Sequence, residues 1–148
     1  THLLVSRMYV EKMNIKKTTL KDNLSLIKAF YYRLAAENVD HIGNLLENIA
    51  FYVENGFITE EALSEIGEIY IFLRDLFRDS FESFKLADNV LANEVIARGK
   101  ELDPMIEVIR STSDMIEDPH LEIILDTSGK LRDHTSKIAN LAIEVSHL

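Results

Sequence analysis

The chain has 148 residues, 47% hydrophobic and 28% charged, a composition of one globular domain large enough to fold without a disulfide or a structural metal. Cysteine is absent, which removes zinc knuckles, iron–sulfur clusters and thiol chemistry together. Sixteen basic against 25 acidic residues give a net charge of −9, a surface that repels nucleic-acid phosphates and anionic lipid. The charge is uneven: residues 1–56 carry seven basic and six acidic side chains, a net of +1, so 57–148 carry −10. Five Gly and two Pro leave little material for the turns of an all-β fold or for a glycine loop around phosphate. No apolar run approaches the roughly 18 residues of a membrane span, and no signal peptide opens the chain, so a cytoplasmic protein is expected. The chain starts at Thr1 and runs at once into Leu3-Leu4-Val5, which reads as a fragment whose natural beginning lies upstream.

The periodicity predicts five helical segments. The first covers about 2–15, with Leu4, Met8 and Ile15 on one stripe, and Lys16-Lys17-Thr18-Thr19 interrupts it. The second is long, about 23–54, with Leu24, Ile27, Tyr31, Leu34, Asn38, His41, Leu45, Ile49 and Tyr52 recurring at three and four residues. Asn55-Gly56 ends it. Thr59 caps the third, which carries Glu60 and Glu61 in its first turn and Ile66, Ile69, Leu73, Phe77, Ser80 and Phe84 on its core stripe. Asp88 caps a fourth at about 88–111 with Leu91, Val95, Leu102, Ile106 and Ile109, and Pro104 must kink or split it. A polar connector, 111–119, leads to a fifth at about 120–147, with Leu121, Ile124, Ser128, Leu131, Thr135, Ile138, Ala142 and Val145. Long amphipathic helices on short connectors imply an all-α antiparallel bundle.

Ile42-Gly43-Asn44 and Ile138-Ala139-Asn140 lie 96 residues apart, each deep in a long helix and each followed by Leu. This hints at a repeat, with 57–148 a complete three-helix unit and 1–56 the last two helices of another. The densest chemistry is the stretch Arg33 to Asn44. Asn38 and His41 fall on the apolar stripe and so are expected to be hydrogen-bonded inside the bundle or to line a wet cavity. Arg33, Asp40, His41 and Asn44 are the candidate inter-helix polar or ligand site. His120 and His134 stand among acidic neighbours and read as solvated. Glu144-x-x-His147 has di-iron spacing but no second copy, and reads as a surface terminus. Phe72, Phe77, Phe81 and Phe84 read most simply as core; Phe72 falls off the main stripe, and its alternative reading is a partner or dimer contact. No nucleophile–base pair stands out, so no enzyme is expected.

Arg33, Asp40, His41 and Asn44, spaced Arg-x6-Asp-His-x2-Asn in a long helix, resemble the signature of the PhoU family of phosphate-uptake regulators. Asp88-x3-Ala92-x2-Val95-Ile96-x4-Glu101-Leu102-Asp103 is similar to the family's other hallmark, and Leu4-Val5-Ser6-Arg7-Met8-Tyr9 resembles its preceding helix. The resemblance implies PhoU-like three-helix repeats, an archaeal-type member, and regulation of phosphate uptake through contacts with a transporter ATPase or a signalling kinase, with a homodimer among the assemblies it admits. It also implies iron or zinc held by carboxylates four residues apart. Here those positions read Ala36/Asp40, Gly99/Asp103 and Arg132/Ser136, so the ligand set is depleted and no cofactor is expected. Asp40, His41 and Asp103 are what remains for a single ion. The alternative function is therefore an iron- or zinc-binding bundle. No basic, glycine-rich helix start offers itself to free phosphate.

Overall fold

A computed structural model describes residues 20–111 and 119–148, with side chains from Asn23 onward. The expected helix at 2–15 and most of the 111–119 connector lie outside the described residues. Within them the chain is all-helical and holds no strand: α1 (Leu20–Glu54), α2 (Glu60–Leu86), α3 (Asn89–Gly99), α4 (Leu102–Ser111) and α5 (Pro119–Ser146). None of these helices is long and apolar enough to cross a membrane.

The helix ends follow from local chemistry. Gly56 stops α1 at φ 67°, a conformation that costs glycine nothing. Thr59 accepts from Ala62 N at 3.3 Å, and Asp88 accepts from Val90 N and Leu91 N at 3.0 and 3.1 Å, so both caps satisfy donors that the first turn leaves open. Between them α2 closes on Ala87, a left-handed alanine at φ 52°. Pro104 splits the expected fourth helix, and the break falls at Lys100 and Glu101. Proline lacks the N–H that would bond the carbonyl of residue 100 and its ring collides there. As the third residue of a new helix it is tolerated, because that donor would be unused. Pro119 opens α5 for the same reason.

Side-chain contacts fix the directions. Asp79 meets Arg98, Asp103 meets Arg132, and Arg110 meets Glu122, so α3 and α4 run antiparallel to both α2 and α5. Tyr70 pairs with Ser128 and Ser80 with Thr135, so α2 and α5 are parallel. Small buried residues (Ser80, Ser83, Ser128, Ala139 and Ala142) let those two helices approach closely, and their hydroxyls are satisfied: Ser80 Oγ donates to Thr135 O at 2.8 Å, Ser128 Oγ to Ile124 O at 2.8 Å. The result is a three-helix core of α2, α3–α4 and α5, its centre made by Ile69, Leu76, Val95, Leu102, Ile124 and Ile138. Helix α1 lies antiparallel on α5 and barely meets α2, through Tyr32 on Phe84. It is buried along Ala35, Ile42 and Ile49, a seven-residue repeat rotated from the expected stripe, of which Leu24, Ile27 and His41 stay exposed. Ile49 of that stripe is buried and Tyr31, Leu45 and Tyr52 pack half-buried against the core; the rotation arises because α1 carries more apolar surface than its described neighbours cover.

Candidate functional site

Asn38 and His41 are drawn to α5, as the stripe suggested, and there they meet His134. Asn38 Nδ2 donates to Leu34 O at 2.9 Å, which turns its Oδ1 toward His134 Nδ1, 2.9 Å away. An amide oxygen only accepts, so this hydrogen bond assigns the proton to Nδ1 and leaves Nε2 as the basic nitrogen. The His41 ring stacks on His134, centroids 4.9 Å apart at 25°. Partial burial lowers the His134 pKa, Lys137 and the stacked His41 lower it further, and Asp133 opposes them. His134 is thus half-buried and partnered rather than solvated. His120 likewise stacks on Phe57 at 4.8 Å, with Tyr52 5.7 Å away, closing the far end of α1 against α5.

The rest of the Arg33 to Asn44 stretch does not join this contact. Arg33, Asp40 and Asn44 lie on the side of α1 turned away from the Ala35–Ile42–Ile49 line. Asp40 and Asn44 are exposed, and Arg33 is half-buried with its Nε unpaired. Among the described residues, His41 is the one of these four that reaches across to a neighbouring helix.

Asp103 and the positions grouped with it do converge. The Arg132 stem lies against α3 at Gly99, where a Cβ would be in ordinary contact with Arg132 Cγ at 3.4 Å and Ser136 Oγ at 3.5 Å. The Arg132 guanidinium then bonds Asp103 and, at 3.0 Å, Asp133. Burial works against its charge, but the two carboxylates outweigh that and raise its pKa. A divalent cation at Asp103 would have to displace this arginine. Among the described residues no three His, Asp or Glu side chains stand close enough to hold a metal ion. Among the described residues the donors around Asp103 therefore do not make a site for a divalent cation, and Asp103 is an ion-pair partner.

Among the described residues two grooves stand out, which the sequence did not reveal because each is lined from more than one helix. One, of about 280 Å³, runs between α1 and α2 over α5, walled by Ile42, Leu46, Tyr70, Arg74 and Phe77 above Leu131. Burial pushes the Tyr70 pKa up to about 12, with Ser128 opposing. The other, of about 290 Å³, lies between α2 and α4, floored by Ile69 and Ile109, walled by Met105 and Val108, and edged by Glu65 and Glu68. Glu65 Oε2 is buried there without a hydrogen-bond partner. Phe72 packs against the core with Phe77, whereas Phe81, expected in the core, turns outward and is exposed, as are Ile71 and Leu86 on the same helix.

Compared with family models, curated proteins and solved structures, the chain matches none.

Proposed function

We propose that this protein is a non-enzymatic regulator acting through protein–protein contact, and that phosphate uptake is the process it regulates. The contact reading is supported chiefly by the α2–α4 groove. An unpaired buried carboxylate oxygen costs on the order of 1–3 kcal/mol, and Glu65 carries one at the edge of an apolar trough. An amphipathic helix with a Lys or Arg beside its apolar stripe would satisfy that oxygen and cover Met105 and Val108 in one step. The excess negative charge of 57–148 favours such a basic partner. The phosphate part is supported by the motifs alone: Arg33, Asp40, His41 and Asn44 on α1, and Asp88 to Asp103 across α3 and α4. By that resemblance the partner is a phosphate-transporter ATPase or a signalling kinase.

The test is a binding titration of the purified chain against each of those two partners. Binding to one of them that weakens about tenfold in Glu65→Gln, as expected for loss of one charge-assisted contact, supports the reading. Absence of binding to both, or binding indifferent to Glu65→Gln and Glu68→Gln together, overturns it.

A further inference from the structure

Helix α1 carries a second seam that the described residues cover only in part, through Val39 against the core and Tyr32 on Phe84. Ala29, Tyr32, Ala36, Val39, Gly43, Leu46, Ala50 and Val53 follow one another at alternating three and four residues, without one charge among them. That is the spacing by which a helix presents a continuous edge to another helix. The buried line toward α5 is Ala35, Ile42 and Ile49, so this seam flanks it on the side of the α1–α2 groove. Tyr32 is 54% exposed and Leu46 44%, and a Cβ on Gly43 would meet nothing within 4 Å. Every seventh position (Ala29, Ala36, Gly43, Ala50) is small, which permits a close helix approach. Helix α2 supplies the other wall in the same 3–4 rhythm through Leu63, Gly67, Tyr70, Arg74, Phe77 and Phe81, of which Phe81 is 47% exposed.

We infer that this face is an interface between two copies of the chain, related by a two-fold axis parallel to the helices, with α1 of each lying over α2 of the other. Three observations commit the occupant to a second copy. The first is charge. Asp40 and Glu47 stand on the outer edge of the α1 seam, and Arg74 and Arg78 on the outer edge of the α2 wall. In one copy those edges point away from each other; the two-fold brings the acidic edge of each copy to the basic edge of the other.

The second is register. Tyr32 sits beside Phe84, and the helices run antiparallel from there, so Asp40 is level with Leu76, between Arg74 and Arg78. A rotation about an axis along the helices preserves levels. Asp40 of one copy therefore meets Arg74 and Arg78 of the second, while Arg33 comes level with Glu82. Within one copy Asp40 is exposed, and Arg74 and Arg78 make only short-range surface pairs with Asp75 and Asp79.

The third is size. Tyr32 to Val53 spans about 32 Å of helix, and two helices are about 20 Å wide. The footprint of about 600 Å² approaches the roughly 800 Å² per partner of a stable interface. This inference is independent of the partner groove between α2 and α4, which lies on another side of α2.

Sedimentation velocity over a range of concentrations tests it, with circular dichroism confirming that each variant stays helical. The wild type should be a dimer at micromolar concentration. Leu46→Glu, at an exposed position, and Asp40→Arg should each weaken dimerisation at least about tenfold, as like charges or a buried charge would. Arg74→Asp with Arg78→Asp should do the same, and adding Asp40→Arg to that pair should restore the dimer to within about threefold of wild type. A chain that stays monomeric at 100-fold higher concentration (about 100 μM, a Kd worth less than about 6 kcal/mol) overturns the inference. So does a dimer that Leu46→Glu leaves intact, or a charge swap that fails to rescue.

Discussion

Three single residues show how much of this bundle is set by local chemistry, and each carries a measurable consequence. His134 has its pKa lowered by partial burial and by its neighbours Lys137 and His41. An unfolded imidazole takes its proton near pH 6.5. Below that pH the unfolded chain binds more protons than the folded one, so stability falls as the pH drops through about 6.5 and is flat above about 7.5. Urea midpoints at pH 5 and pH 7.5 should differ in the wild type, and the difference should shrink in His134→Gln. Tyr70 gives the opposite limb. Its phenol stays neutral up to about pH 12, whereas an unfolded tyrosine ionises near pH 10. The unfolded state is thus favoured progressively as the pH rises above about 10, and absorbance at 295 nm should show one of the five tyrosines titrating late. Ala87 holds a left-handed backbone at φ 52°, which costs a residue with a Cβ about 1–2 kcal/mol. Part of that gain is offset by the wider freedom of an unfolded glycine, so Ala87→Gly should raise stability by about 0.5–1 kcal/mol in thermal or urea unfolding.

At the scale of helices, the sequence foretold ends better than faces. Thr59, Asp88, Gly56 and Pro104 act on their own neighbours, and each stands where its chemistry placed it; Asp88 holds two backbone donors, and Asp88→Ala should cost about 1 kcal/mol of unfolding free energy. The stripe of α5 is also as read, from Leu121 to Ala142, because that helix is surrounded and has one consistent inner face. Helix α1 resisted the same reading. Its apolar residues form two adjacent 3–4 seams, and periodicity alone gives no reason for α5 to choose the line through Ala35, Ile42 and Ile49. The site was legible only in part, for the same reason. Asn38 and His41 announced themselves as polar residues on an apolar stripe, but their partner His134 is 96 residues from Asn38, the same interval that separates Ile42-Gly43-Asn44 from Ile138-Ala139-Asn140. Glu65 gave no signal at all, since a glutamate on an amphipathic helix is ordinary until a second helix buries one of its oxygens.

For the molecule as a whole, Arg132 decides more than any other charge. It bridges α4 to α5 by bonding Asp103, and its stem lies against α3 at Gly99. Lower down the same two helices are tied by Arg110, which bonds Glu122 at 3.0 Å and Asp126 at 3.2 Å. Elemental mass spectrometry on protein purified without a metal-affinity tag should therefore find less than about a tenth of an equivalent of iron or zinc, because the remaining carboxylates are scattered or already neutralised. A stoichiometric metal that falls in Asp40→Asn would sink that expectation. The wider consequence concerns what the bundle depends on. A guanidinium tethered to α5 is a cation at fixed, very high local concentration that never dissociates into solvent. Where a metal-bridged bundle would loosen under a chelator and recover with added ion, this one carries its own counter-ion, so EDTA should leave its melting temperature unmoved. Its sensitivity is instead to ionic strength, which screens the exposed carboxylates that Arg132 and Arg110 hold.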